Sequence, residues 1–172
     1  MPFNLNSKTN PWSNFPEYSI GCFVGTSESD SDKFTDFLDK LDTQIETSIK
    51  NNISLFNGAS DNFIYSKLYR DNKTYPKILN LNFKRDKDGN FTSFIFGENK
   101  EKLRLSDNNI EDYFKKGASF KCIIECTKLW TYDGKIGSSW SITQLKFIKN
   151  KQISHDTSSD TNTIYDSIMI ED

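Results

Sequence analysis

Three groups of side chains in this 172-residue chain belong to chemically active types, and their spacing argues against catalysis. The only histidine, His155, stands among Ser, Thr, Asp and Asn with no partner to orient it as a base or a ligand. Cys122 and Cys126 fall four apart on an expected strand, roughly 13 Å at ~3.3 Å per residue, too far to bridge or to share a zinc. Burial as small hydrophobes is the expectation for them, and Cys22 has no sequence neighbour to argue from. Asp36, Asp39 and Asp42 recur at three-residue steps, which suits the solvated side of a helix better than paired carboxylates or metal ligands. No glycine-rich phosphate loop, nucleophile elbow or Cys-x-x-Cys pair occurs. The expectation is a protein that is not an enzyme and uses no cofactor or metal.

A different pattern points to binding. Aromatic and basic residues interleave through Tyr65, Lys67, Tyr69 and Arg70, then Tyr75, Lys77, Phe83, Lys84, Arg85, Phe94 and Phe96. The last third adds Lys128, Trp130, Tyr132, Lys135, Trp140 and Lys146. Single-stranded nucleic acid calls for this mixture, because cations neutralise phosphates and flat rings stack on exposed bases at ~1–3 kcal/mol each. Stacking is indifferent to base identity, so the binding expected is broad in sequence. The competing reading fills a core with the same rings. Neighbours on a strand point to opposite faces, so both readings can hold along one strand.

Charge divides the chain in the same place. Residues 63–151 carry 18 Lys and Arg against 10 Asp and Glu, a net +8, whereas 1–62 (4 against 9) and 152–172 (none against 5) are each −5. A basic body with acidic ends suits a polyanion binder, and a solvated, lysine-rich surface would give the same arithmetic. Hydrophobic residues make up 35% and aromatics 14%, enough for a core but not for a membrane span, since no apolar run approaches ~18–20 residues. The first residues lack a charged-then-apolar secretory pattern, and three cysteines cannot all pair. An intracellular, reducing setting without membrane contact is therefore expected.

The elements that must position these residues follow from periodicity. Residues 1–29, with Pro2, Pro11 and Pro16, read as a flexible arm, although Ile20–Val24 could add a strand. Phe34, Phe37, Leu38, Leu41, Ile45 and Ile49 put one apolar face on a helix over about 32–50. Period-two runs follow at 63–69, 76–84 and 91–96, with Asp88-Gly89 as a hairpin turn. Leu103–Leu105 suggests a short strand, and 107–117 a short helix closed by Gly117. A long strand from Ser119 to Thr131 puts Phe120, Cys122, Ile124, Cys126 and Trp130 on one face. Asp133-Gly134 then turns the chain into Ser138–Ile148. Three strands, a short helix and a two-stranded hairpin make the strand order of a five-stranded OB-fold barrel, here α+β with an added N-terminal amphipathic helix. The domain would span 30–150, followed by an acidic, disordered tail at 151–172.

Several short runs resemble a known family. Tyr75-Pro76-Lys77-Ile78, Phe114-Lys115-Lys116-Gly117, Lys128-Leu129-Trp130 and the run from Gly137 through Trp140 and Gln144 to Lys146 are similar to the single-stranded-DNA-binding proteins of nucleocytoplasmic large DNA viruses, as in poxviruses, asfarviruses and phycodnaviruses. The helix Phe34-Thr35-Asp36-Phe37-Leu38-Asp39 fits the same layout. The resemblance covers about residues 30–149. It implies an OB-fold protein that coats unwound DNA during replication, recombination or repair, in the host cytoplasm for a virus that replicates there. It also implies DNA contacts from Lys77, Trp130, Gly137, Trp140, Gln144 and Lys146. The tail alternates acids with Ile164, Tyr165, Ile168, Met169 and Ile170. Similar ends on other single-strand binders dock replication proteins and compete with DNA, while a purely solubilising terminus is the alternative. An RNA-binding OB protein and a non-catalytic interaction module remain the rival readings, and the resemblance leaves homo-oligomer formation open.

Overall fold

Asp133 and Gly134 both adopt positive φ, 49° and 69°, the backbone that a tight two-residue hairpin demands. They join the two longest strands of a protein that is mainly β, a curled, open sheet shaped as a half-barrel with few helices. The computed structural model describes residues 5–9, 11, 13–24, 28–56, 62–72 and 75–148, with the backbone alone at 28–32, 70–72 and 75–76. In chain order the strands are β1 (Asn6–Lys8), β2 (Glu17–Phe23), β3 (Ile64–Ser66), β4 (Tyr69–Asn72), β5 (Tyr75–Asn82), β6 (Phe94–Phe96), β7 (Lys102–Leu103), β8 (Ser119–Tyr132) and β9 (Lys135–Ile148). The helices are α1 (Glu28–Asn51) and the single-turn α2 (Ile110–Tyr113), with a short 3-10 turn at Ile53–Leu55. The described sheet thus has nine strands where five are expected, because the arm contributes two, the 63–84 region breaks into three instead of two, and the short β7 joins as well.

β9 organises the sheet. One of its edges pairs antiparallel with β8 along its whole length. The other edge pairs in turn with β3, β5 and β6, all parallel. Where these neighbours diverge, side chains complete the ladder: Asn82 Nδ2 donates to the Trp140 carbonyl at 3.1 Å and Ser93 Oγ to the Ile142 carbonyl at 2.7 Å.

Two bulges in the β8–β9 ladder decide which side chains face outward. Ile123 pairs with Gln144 but Ile124 with Ile142, so Thr143 is extra on β9. Cys126 pairs with Trp140 but Lys128 with Ser139, so Thr127 is extra on β8, its hydroxyl donating to the Ser139 carbonyl at 3.1 Å. Each extra residue reverses the alternation beyond it. Phe120, Cys122, Ile124 and Cys126 share one side as expected, but Cys126, expected to be buried, is exposed because it lies beyond the packed cluster. Trp130 does not join them, because the bulge at Thr127 turns it to the opposite face.

The core lies on the side bearing Ile20, Leu81, Phe83, Ile95, Ile142 and Leu145, and α2 closes it with Ile110 and Phe114. Residues 17–24 are not a loose arm: β2 pairs with β5 and buries Tyr18, Ile20 and Val24. Alternation of Tyr18, Ile20 and Cys22 supplies the half-buried strand that the flanking prolines and polar residues disguise. The hairpin at Asp88-Gly89 forms, with an Arg85–Phe91 bridge and Gly89 at φ 86°. Phe15 lies so close to Gly89 that a Cβ there would stand 2.8 Å from its Cδ1. The 151–172 tail lies outside the described residues.

α1 is anchored by residues read as solvated. Asp42 is only 4% exposed; it accepts hydrogen bonds from Tyr65 Oη at 2.7 Å and from the Leu68 amide at 3.1 Å. Asp39 accepts from Tyr69 Oη. These bonds turn that side of α1 towards the sheet, while Phe34 and Phe37, expected to be buried, stack on each other in solvent.

Candidate nucleic-acid interface

The face turned away from the core carries rings and lysines in rows set by strand register. At the hairpin end Ile64, Lys135 and Tyr132 are opposed, followed by Ser66, Gly137 and Trp130. Trp130 is half-buried because its indole lies on Gly137: a Cβ at that glycine would stand 2.8 Å from Trp130 Cε2 and 3.0 Å from Ser66 Cβ. An aromatic laid across a strand glycine shields the backbone and is itself held flat. Lys128 opposes Ser139 in the next row.

At the other end Phe94, Gln144 and Ile123 form one row, and Lys102, Phe96, Lys146 and Lys121 the next, across four strands. Phe94 is 49% exposed, with Lys102 Nζ 4.7 Å from its ring centroid, an exposed cation–π contact. Between the two ends, Asn82, Ser141 and Glu125 are opposed, and Lys84 forms an ion pair with Glu125. Nine of the expected contact residues therefore lie on one face: Lys84, Phe94, Lys128, Trp130, Tyr132, Lys135, Gly137, Gln144 and Lys146.

Six others, expected on the binding face, lie instead on the core side. Phe83 is 7% exposed and packs edge-on against Phe114, centroids 4.8 Å apart, so it offers no ring to a base. Tyr69 is buried, and Lys77 donates to its hydroxyl at 3.1 Å and lies 3.8 Å from Asp39. Tyr65 is committed to Asp42. Arg85 stands 4.0 Å above the Phe91 ring and bonds Asp107 and the Gly89 carbonyl. Trp140 packs against the core cluster and donates from Nε1 to Ser138 Oγ at 2.9 Å. Strand register sets these placements: Tyr65 pairs with buried Ile136 and Tyr69 with buried Leu79, the odd positions from Lys77 to Arg85 turn inward with Leu79 and Leu81, and Trp140 does so opposite Cys126. Lys67 is exposed between β3 and β4. For Arg70 only the backbone is described, paired with Ile78.

Lys102 and Lys121 are face residues that the sequence pattern missed. Lys102 has no adjacent ring in sequence and reaches Phe94 only through β6–β7 pairing. Lys121 was legible as the alternate neighbour of Phe120 and Cys122.

Burial pushes the Cys22 thiol up to about 12, with the nearby Cys122 adding to the rise, and the Cys122 thiol up to about 11; both side chains pack against the core cluster. Thiols held neutral in this way are poor nucleophiles and poor ligands. Among the described residues no group of three or more His, Cys, Asp and Glu is placed to hold a metal ion, and no helix is long and apolar enough to cross a membrane. No family model matches the chain, and no curated protein matches it.

Proposed function

We propose that this is a non-enzymatic, sequence-nonspecific single-stranded-DNA-binding protein of the OB-fold type, acting in viral DNA replication, recombination or repair. The observation that carries the reading is the segregation just described. Trp130, Tyr132 and Phe94 share the solvent face with Lys102, Lys121, Lys128, Lys135 and Lys146; of the carboxylates at its described paired strand positions, Glu125 is matched by Lys84 and Glu17 lies opposite Lys8 on the outlying β1–β2 pair. Rings beside cations on an open sheet suit bases and phosphates together. A curled sheet with a one-turn helix ahead of its terminal hairpin supports an OB-type barrel, as does the family resemblance over 30–149. The acidic tail is the proposed docking element for replication proteins.

The test is a fluorescence-anisotropy titration of labelled oligo-dT, with matched oligo-rU and duplex DNA as competitors. Oligo-dT should bind and resist duplex competition, and affinity should fall by roughly 0.7 log units per log unit of salt for each phosphate neutralised. Preferential loss to oligo-rU would assign the face to RNA. Absence of binding to any strand would overturn the reading and favour a protein-interaction module.

A further inference from the structure

The outer face is not uniform along β9. At the Gly137 row Trp130 is flanked by Lys128 and Lys135; at the Gln144 row Phe94 is flanked by Lys102 and Lys146. The rows between them hold no ring: Ser139 and Ser141 are small, and Lys84 and Glu125 neutralise each other. We infer that the face is bipartite, with two ring-and-lysine platforms that a single strand engages together by crossing the Lys84–Glu125 ion pair. This deepens the single-strand reading and rests on it.

Register sets the separation. From the Gly137 row to the Gln144 row is three steps of two residues once the bulged Thr143 is set aside, or about 20 Å at ~3.3 Å per residue. A strand stacked at ~3.4 Å per nucleotide needs about six nucleotides to span that distance, and an extended one fewer. A trinucleotide therefore reaches one platform, whereas an oligomer of about nine reaches both. The second contact is then made at high effective concentration, which multiplies affinity without new chemistry. The ion pair has a specific place in this scheme: Glu125 holds Lys84 away from any phosphate passing above it, so the crossing segment gains little from that lysine.

The experiment is a length series of oligo-dT, from about three to about twelve nucleotides, titrated against the full chain and four variants. Affinity should rise by ~100-fold or more between about three and about nine nucleotides, then only gradually. Trp130→Ala and Phe94→Ala should each remove that rise and leave the weak binding of the surviving platform. Lys102→Gln, which keeps every ring, should reduce the rise and lower the salt slope by about 0.7 for the long oligomer; it serves if a ring variant proves unfolded by circular dichroism. Glu125→Gln should free Lys84, tighten the long oligomer and steepen its salt slope by about 0.7, leaving the trinucleotide unchanged. Affinity that grows only in proportion to length, or a long-oligomer affinity sensitive to Trp130→Ala but not to Phe94→Ala or Lys102→Gln, would overturn the bipartite site while leaving single-strand binding intact. No binding at any length would remove both.

Discussion

Gly137 shows how a residue can matter to a binding face without touching a ligand. The resemblance implies that it contacts DNA, but the structure gives it another task, since the Trp130 indole occupies the space where a side chain would begin. Gly137→Ala should displace that ring, cost about 1–3 kcal/mol as overpacking does, and shift tryptophan emission; chemical denaturation and fluorescence spectra check both. Asp42 makes a second prediction. Burial raises its carboxyl above the ordinary 3.8, outweighing the lowering by Tyr65 and Leu68 hydrogen bonds. The folded chain therefore holds that proton more tightly than the unfolded chain, and stability falls as pH rises from the ordinary carboxylate range through the raised value. Asp42→Asn should abolish that part of the slope, measured as the difference between the two proteins' unfolding free energies across acidic pH. From sequence, three-residue spacing marks Asp39 and Asp42 as helical. Their anchoring role was hidden because it depends on Tyr65 and Tyr69 arriving from more than twenty residues away.

The terminal hairpin shows at element scale what was legible and what was not. Long alternation and the Asp133-Gly134 turn announce two antiparallel strands, and they run almost as expected. The face on which Trp130 lies was not legible, because the extra residues at Thr127 and Thr143 are β-branched types at home in any strand. A bulge leaves no compositional mark, yet each one inverts the side chains beyond it. The two together bring Trp130 and Gly137 onto the face of Gln144, Lys146 and Phe94. β2 was obscured for a different reason: its alternation is short and bracketed by Pro16 and by Ser and Gly residues. The joint between α1 and β3 gives a third prediction. Tyr65→Phe leaves Asp42 without its strongest side-chain donor and should cost about 1–3 kcal/mol in denaturant unfolding. Because Tyr65 is on the core side, oligo-dT affinity should be unchanged in the folded variant.

Over the whole molecule, charge and curvature act together. The curled sheet turns one side into a core closed by α2, and leaves the other to a lysine-bearing surface. The acidic tail follows directly from β9, whose last turns outward carry Lys146 beside Lys121, so the fourth prediction concerns competition. Truncation after Asn150 should tighten oligo-dT binding at low salt and lose its effect as screening increases; equal affinities at low salt would leave the tail a solubilising or partner-docking segment. The partition of the two tryptophans tests the central claim most directly. Oligo-dT titrations should be run at one salt concentration with the parent, Trp130→Ala and Trp140→Ala, each checked for folding by thermal melting. Trp130→Ala should weaken binding by roughly 1–3 kcal/mol with a small change in stability, and Trp140→Ala should lower stability with little loss of affinity in the folded protein. The reverse pattern, or equal affinity in all three, would contradict the account.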